Sequence, residues 1–182
     1  MKRKNLVIGV IGAMILIAMI FALVSLMSDR SSIQNLIHST IKLRDNIEDP
    51  VVRAKAITDI NSLVQELDNS GINEGWRAMA VCIPEGCSDD EYMNFIISAI
   101  NEYPKDIEHG YIVKEIIKVH RFWGDSANVI EFSESLTESN KLITELHSSK
   151  AANLWNDIVS CNGECEEFDN LFFEMIGVIV EL

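Results

Sequence analysis

The sequence predicts an all-α protein, with an N-terminal transmembrane helix followed by antiparallel helical hairpins in an α-solenoid-like stack or an irregular bundle. Three observations support this prediction. Residues 6–27 carry no charged side chain. The rest of the chain places apolar residues at three-and-four spacing between capping residues, and no run alternates as a strand would. Finally, the four cysteines form two closely spaced pairs.

The first element is a membrane anchor over residues 6–27. A helix of that length spans about 33 Å, which is enough to cross a hydrocarbon core of about 30 Å. A cleaved signal peptide is the alternative, but it needs a shorter apolar stretch and a small-x-small cleavage site. The candidate site at Leu23-Val24-Ser25 has a large residue at its first position. The pattern therefore favours a retained anchor that holds the chain in the lipid bilayer.

Basic residues before the anchor predict its orientation. Lys2, Arg3 and Lys4 precede it, whereas Arg30 follows it next to Asp29. Because positive charge is retained in the cytoplasm, we expect residues 1–5 to be a cytoplasmic basic tail. Residues 28–182 then form an extracytoplasmic domain of a single-pass membrane protein.

That domain is strongly acidic. All 28 Asp and Glu residues follow Ser28, together with 12 of the 15 basic residues, so its net charge is 12 − 28 = −16. Such a charge repels nucleic acid and anionic lipid headgroups. We therefore expect no nucleic-acid partner. A charged partner should be either a basic protein or a cation such as Ca²⁺.

Caps and breakers divide the domain into helices in order. Asp49-Pro50 is typical of a helix start, with proline at the first helical position. Ser88 and Glu91 form a capping-box pair, and Asn69-Ser70-Gly71 is typical of a helix end. The predicted helices cover Ser31–Ile47, Pro50 to about Gly71, Asn73–Ile83, Ser88 to before Pro104, Tyr111–Trp123, Asp125–Leu136, Ser139–Cys161 and Phe168–Leu182. The last stretch contains Glu174 and Glu181, which predicts a buried terminal helix rather than a second membrane span.

The cysteine pairs share a pattern that indicates an internal repeat. Each first cysteine follows a tryptophan by six positions, Trp76 before Cys82 and Trp155 before Cys161. A short turn containing glycine leads to Cys87 in one copy and to Cys165 in the other, and acidic residues follow each. Two copies of this pattern predict a duplicated helical hairpin, with chance similarity as the competing explanation.

Three chemistries can use four such thiols. Two local disulfides, Cys82–Cys87 and Cys161–Cys165, would each close one turn, and crossed pairing would join the two hairpins. A four-thiolate zinc site is also compatible with the spacing. Because an extracytoplasmic domain lies where disulfides persist, the local pairing is favoured and no cofactor is expected.

One segment resembles a known class of repeat. Ile47-Glu48-Asp49-Pro50-Val51-Val52-Arg53-Ala54-Lys55-Ala56-Ile57, continuing to Gly71, resembles the start of a helical-hairpin repeat of the HEAT or tetratricopeptide kind. The resemblance covers a minority of the chain, and later hairpins do not repeat it. It implies a stack of antiparallel helix pairs and assigns no ligand or catalytic residue.

Candidate site residues are few. Trp123, beside Gly124, is expected to be partly exposed and is a candidate contact residue. Trp76 and Trp155 are further candidates for a binding groove, although packing in the core against the cysteine turns is the favoured explanation for both. No catalytic motif is present, and the four histidines lie on different predicted helices. The sequence therefore favours a membrane-anchored protein-binding or scaffolding domain over its alternative, a metal-binding or enzymatic domain using the cysteine pairs and a histidine.

Overall fold

The fold contains only helices among the residues that the structure describes. The structure is a computed structural model, and it describes residues 31–104, 107–125, 127–161, 163 and 165–182. Helix α1 covers residues 31–45. The others are α2 (Pro50–Leu67), α3 (Ser70–Cys82), α4 (Asp89–Glu102), α5 (Gly110–Phe122), α6 (Val129–Glu145), α7 (Ser149–Cys161) and α8 (Phe168–Glu181). The predicted all-α class is confirmed.

The helices of the described ranges form two units of four, α1–α4 and α5–α8. Helices α2, α3 and α4 begin at residues 50, 70 and 89, and α6, α7 and α8 begin at residues 129, 149 and 168. Each start in the second unit is shifted by the interval that separates Trp76 from Trp155, which we call the repeat interval. The internal similarity predicted from one hairpin therefore extends over a whole four-helix unit.

Local sequence explains where several helices begin. The Asp49 side chain accepts hydrogen bonds from the backbone amides of Val51 and Val52, and Pro50 occupies the first helical turn. Ser88 and Glu91 complete the predicted capping box, each satisfying an otherwise unpaired amide at the start of α4. These two predicted helix starts are confirmed.

Two predicted boundaries are wrong because non-glycine residues end helices here. Asp68, with φ 42°, ends α2, so Asn69 caps the start of α3 instead of closing α2. The predicted helix Ser139–Cys161 is broken at His147, where φ is 51°. Its first part belongs to α6, which runs on to Glu145 instead of stopping at Leu136, and α7 begins at Ser149. Asp68 and His147 are themselves one repeat interval apart, so the break belongs to the repeat.

Helix packing closes the two units on each other. Helix α5 packs against α6 and α8, while α3 packs on α4 and α7 on α8. The first and last helices also meet, because Gln34 Nε2 on α1 donates to the Val180 carbonyl on α8 at 2.7 Å. In a solenoid each repeat contacts only its neighbours. The contact between α1 and α8 therefore corresponds to the irregular bundle rather than to an open stack.

The core is continuous and includes the C-terminal helix. Phe172, Phe173 and Ile176 on α8 are fully buried, as are Ile33 and Leu36 on α1. Burial of α8 confirms the terminal core helix predicted from the sequence. None of the helices in the described part of the chain is long and apolar enough to cross a membrane. The predicted anchor over residues 6–27 lies outside the described residues.

Candidate binding groove

The four cysteines form the two predicted local disulfides. Cys82 bonds to Cys87 across the α3–α4 turn, and Cys161 bonds to Cys165 across the α7–α8 turn. Glu91 lies close enough to the first pair to resemble a three-ligand metal cluster. A sulfur engaged in a disulfide offers no thiolate to a metal. The geometry therefore favours two local staples over a zinc site or crossed pairing.

Trp76 and Trp155 lie in the core, in matching environments. Trp76 Nε1 donates to Asn61 Oδ1 at 2.7 Å, and Trp155 Nε1 donates to Asn140 Oδ1 at 2.6 Å. The two tryptophans are 7% and 3% exposed. Both indoles therefore join the second helix of a unit to the third and present almost no surface to a ligand.

Trp123 is half-buried and belongs to an aromatic cluster. Its ring centroid lies 5.1 Å from Phe132 and 5.0 Å from Phe168, both in edge-on geometry, and Phe168 in turn packs against Phe172. A Cβ placed on Gly163 would meet the indole, so the ring lies on the turn between Cys161 and Cys165. Of the three predicted contact residues, Trp123 alone keeps partial exposure, and its main role is packing.

The histidines remain apart in the structure. His120 Nε2 lies 2.8 Å from Asp169 Oδ1, and the imidazole packs edge-on against Phe172. His38 lies 3.6 Å from Glu181 on a different face, and His147 forms the break between α6 and α7. A histidine bonded to a carboxylate beside aromatic rings ties α5 to α8. The structure places no nucleophile beside this pair among the described contacts.

Two groups of acidic residues, on α6 and beside the second cysteine turn, lie on the surface. Glu131 and Glu134 on α6 are exposed, and Glu138 forms an ion pair with Lys141 at 3.4 Å. Near the second cysteine turn, Asp169 is bonded to His120. Carboxylates on solvated helix surfaces are sufficiently explained by solvation and the helix dipole.

A groove with a volume of about 920 Å³ lies between α1 and α8. One side consists of α1 residues at helical spacing, and the other consists of α8 residues at helical spacing. The turn between Cys82 and Cys87, with the start of α4, forms one end. The lining residues include His38, Ile41, Arg44, Asp45, Ile47, Glu48, Asp89, Tyr92, Lys150, Asn170, Phe173, Glu174 and Glu181. We call this feature the acidic groove.

Arg44 holds the groove together at the end near the Cys82–Cys87 turn. Its Nε donates to Asp89 Oδ1 at 2.8 Å, a terminal nitrogen donates to Asp45 Oδ1 at 3.0 Å, and another contact reaches Asn170 on α8. The guanidinium also lies 4.6 Å from the Phe173 ring centroid, a cation–π distance. Burial alone would lower the pKa of Arg44, but the hydrogen bonds to Asp89 and Asp45 outweigh it and raise the pKa. Arg44 therefore stays charged and joins the two units.

Tyr92 lines the same end of the groove. The residue is 2% exposed, and its hydroxyl has no hydrogen-bond partner within the described part of the chain. Burial, followed by the nearby charge of Asp89, raises the pKa of Tyr92. An unpaired buried hydroxyl lowers the free energy of unfolding, so the neutral Tyr92 hydroxyl destabilises the fold unless a bound group pairs with it.

The acidic groove carries net negative charge. Asp45, Glu48, Asp89, Glu174 and Glu181 face one arginine and one lysine, which gives −3 with His38 neutral. Ile41 and Ile47, both half-buried, provide apolar surface between the charges. The groove can therefore accept a segment that presents basic side chains around an apolar centre.

Comparison with known proteins gives no relative. No protein-family model, curated protein or solved structure matches the chain.

The groove has no local signature in the sequence. Arg44 and Asn170 are 126 positions apart and meet only in the folded bundle. Tyr92 stands among the apolar residues of α4, and nothing local in the sequence distinguishes its hydroxyl. The available signal was the acidic charge of the domain, which indicated a basic partner without locating its site.

Proposed function

We propose that the chain is a membrane-anchored helical domain that binds or scaffolds a protein partner on the outer side of the membrane, and that the acidic groove is its binding surface. The groove is the observation that carries the proposal. It has a volume of about 920 Å³, runs along two helices and combines apolar surface with a charge of −3. Helical segments bind in grooves of this kind by an apolar face flanked by complementary charges.

The partner segment is basic. The extracytoplasmic region predicted from the sequence carries −16, which raises the rate at which a cationic partner is encountered. The carboxylates in the groove then fix where that partner docks. Long-range attraction and local complementarity thus select the same sign of charge.

Two features support the outer side of the membrane. The uncharged stretch of residues 6–27 follows a cluster of basic residues, and both cysteine pairs are joined as disulfides. Disulfides persist in oxidising compartments. A membrane-impermeant maleimide, added to intact cells after mild reduction, should label the cysteines; labelling that requires cell lysis would refute this topology.

The binding test uses octalysine as probe and the full-length chain in zwitterionic nanodiscs. The double variant Glu48→Gln/Glu174→Gln removes two exposed carboxylates of the groove. A charge about 4 Å away contributes about 1 kcal/mol in water, so losing both should weaken binding about tenfold or more. The control Glu134→Gln/Glu145→Gln removes two exposed carboxylates of α6, outside the groove.

Both double variants change the net charge equally, which separates the site from the general field of the domain. A larger loss in the groove variant supports the proposal. Equal losses in both variants would mean that octalysine senses only the overall charge, and the groove would not be the binding surface. Because the cysteines are joined in disulfides, the alternative of a metal-binding or enzymatic domain has less support.

A further inference from the structure

The two units differ at one equivalent place, beside their cysteine turns. The repeat interval relates Arg44 to Trp123 and Arg53 to Phe132. In the first unit Arg44 reaches the start of α4, and Arg53 donates to the carbonyl of Ile47 at 3.2 Å. In the second unit the two aromatic rings pack edge-on at 5.1 Å. Two arginines with separate polar partners in the first unit therefore correspond to two aromatic residues that contact each other in the second unit.

The second copy of this place is filled. The Trp123 indole lies on Gly163 inside the disulfide turn and packs against Phe168 at 5.0 Å. Aromatic side chains at these distances form a packed cluster. The ring thus occupies the space between the end of α5 and the α7–α8 turn.

The first copy stays open as the end of the acidic groove. Gly86 and Cys87 of the first disulfide turn line the groove instead of being covered by a ring. Arg44, in the position of the indole, lies against Phe173 and extends to Asp89. The same fold thus provides an accessible polar recess in one unit and a closed aromatic cluster in the other.

Tyr92 marks what the recess can bind. Tyr92 lines the groove, and its buried hydroxyl lies close enough to Asp89 and Arg44 to feel their charges. The hydroxyl is unpaired among the described residues, whereas the two core indoles both find an asparagine. Buried polar groups in folded proteins are paired in the great majority of cases. A hydroxyl held without a partner at the end of a groove points to a ligand atom.

The charged side chains at this end of the groove determine whether the ligand group is an anion or a cation. Arg44 is already neutralised by Asp89 and Asp45, which lie 2.8 and 3.0 Å away. An anion would therefore find no free cation at this end and would face the carboxylates of Glu48 and Glu174. A cation would meet carboxylates together with a hydroxyl oxygen that can accept a hydrogen bond.

We propose that the recess beside the Cys82–Cys87 turn is a subsite for a basic side chain of the partner, with the Tyr92 hydroxyl accepting a hydrogen bond from its ammonium or guanidinium group. Asp45 and Asp89 together carry one negative charge more than Arg44 neutralises, and Arg44 positions both carboxylates. The subsite deepens the proposed function and depends on it. Trp123 fills the equivalent place in the second unit, so of the two equivalent places in the described residues the first alone presents this recess.

Tyr92→Phe tests the subsite, because binding and stability respond in opposite directions. The variant removes an unpaired buried hydroxyl, so the melting temperature of the full-length chain should stay unchanged or rise. Octalysine should nevertheless bind about fivefold more weakly, the loss expected for one hydrogen bond. Tyr111→Phe is the matched control, because Tyr111 is 53% exposed on α5 and lies outside the groove.

Titration of N-acetyl-lysinamide and N-acetyl-argininamide into the full-length chain, followed by NMR, then distinguishes ammonium from guanidinium; N-acetyl-norleucinamide is the uncharged control. Shifts near Tyr92 with either basic probe, and none with the uncharged probe, support the subsite. If Tyr92→Phe binds octalysine as wild type does while Glu48→Gln/Glu174→Gln binds it weakly, the subsite is wrong and the groove proposal stands. If neither variant differs from its control, both proposals fail.

Discussion

Asn140 tests the internal repeat most directly, because its amide oxygen is the partner of a buried indole. Trp155, 3% exposed, donates to it at 2.6 Å. Asn140 is itself exposed, so Asn140→Ala removes the hydrogen bond and lets water reach the indole N–H, which costs about 0.5–1.5 kcal/mol. Alanine in the interior of α6 returns about 0.5 kcal/mol through its helix propensity. The expected loss relative to a control with the same gain in helix propensity is therefore about 0.5–1.5 kcal/mol.

The repeat predicts a similar loss in the other unit. Asn61 accepts from Trp76 at 2.7 Å, and Trp76 is 7% exposed, so Asn61→Ala should destabilise the protein by a similar amount. Asn153→Ala is the control, because Asn153 is exposed on α7 and its replacement should be neutral or slightly stabilising.

Urea unfolding of the oxidised full-length chain in detergent, followed by tryptophan fluorescence, measures all three variants. The midpoint should fall for Asn140→Ala and Asn61→Ala, and the melting temperature should drop by about 2–4 °C per kcal/mol. If both variants are as stable as Asn153→Ala, the hydrogen bond between tryptophan and asparagine does not stabilise either unit. The two units would then be equivalent in geometry, but their equivalent hydrogen bonds would not contribute to the free energy of unfolding.

The turns and the groove provide three further tests. Gly163→Ala should cost about 1–3 kcal/mol more than Gly86→Ala in thermal melts, because both positions have positive φ but only a Cβ at 163 meets an indole among the described residues; equal losses would contradict this. Replacing Cys82 and Cys87 together by serine should cost about 2 kcal/mol in urea unfolding, and an unchanged midpoint would contradict it. Burial raises the pKa of Tyr92, so the unfolded chain ionises at a lower pH than the folded protein does. The free energy of unfolding of the wild type should therefore fall as the pH rises from about 10 through the folded-state pKa, and Tyr92→Phe should lose less stability than the wild type in alkaline melts; equal losses would contradict this.

The sequence was most informative where structure depends on neighbouring residues. Asp49-Pro50 starts α2, the Ser88 capping box starts α4, and each cysteine pairs with its near neighbour. Each of these features joins residues that are close together in the chain. Local hydrogen bonds and loop closure determine such features, so a sequence pattern predicts them directly.

Long-range features followed no local pattern. The break at His147 has neither glycine nor proline, and the apolar spacing of Leu142 and Leu146 runs into it without interruption. The groove depends on α1 meeting α8, which are joined by the contact between Gln34 and Val180. Tertiary packing sets both, so hydrophobic periodicity alone does not predict them.

Paramagnetic relaxation from a nitroxide-tagged octalysine, added to the full-length chain in zwitterionic nanodiscs, tests the binding surface most directly. We expect methyl signals of Ile41 and Val178, which line the groove, to broaden first and to recover when the nitroxide is reduced. Val129 and Ile130, exposed on α6, should keep their intensity. Broadening that is strongest on α6, or uniform over the acidic surface, would contradict the assignment of the groove.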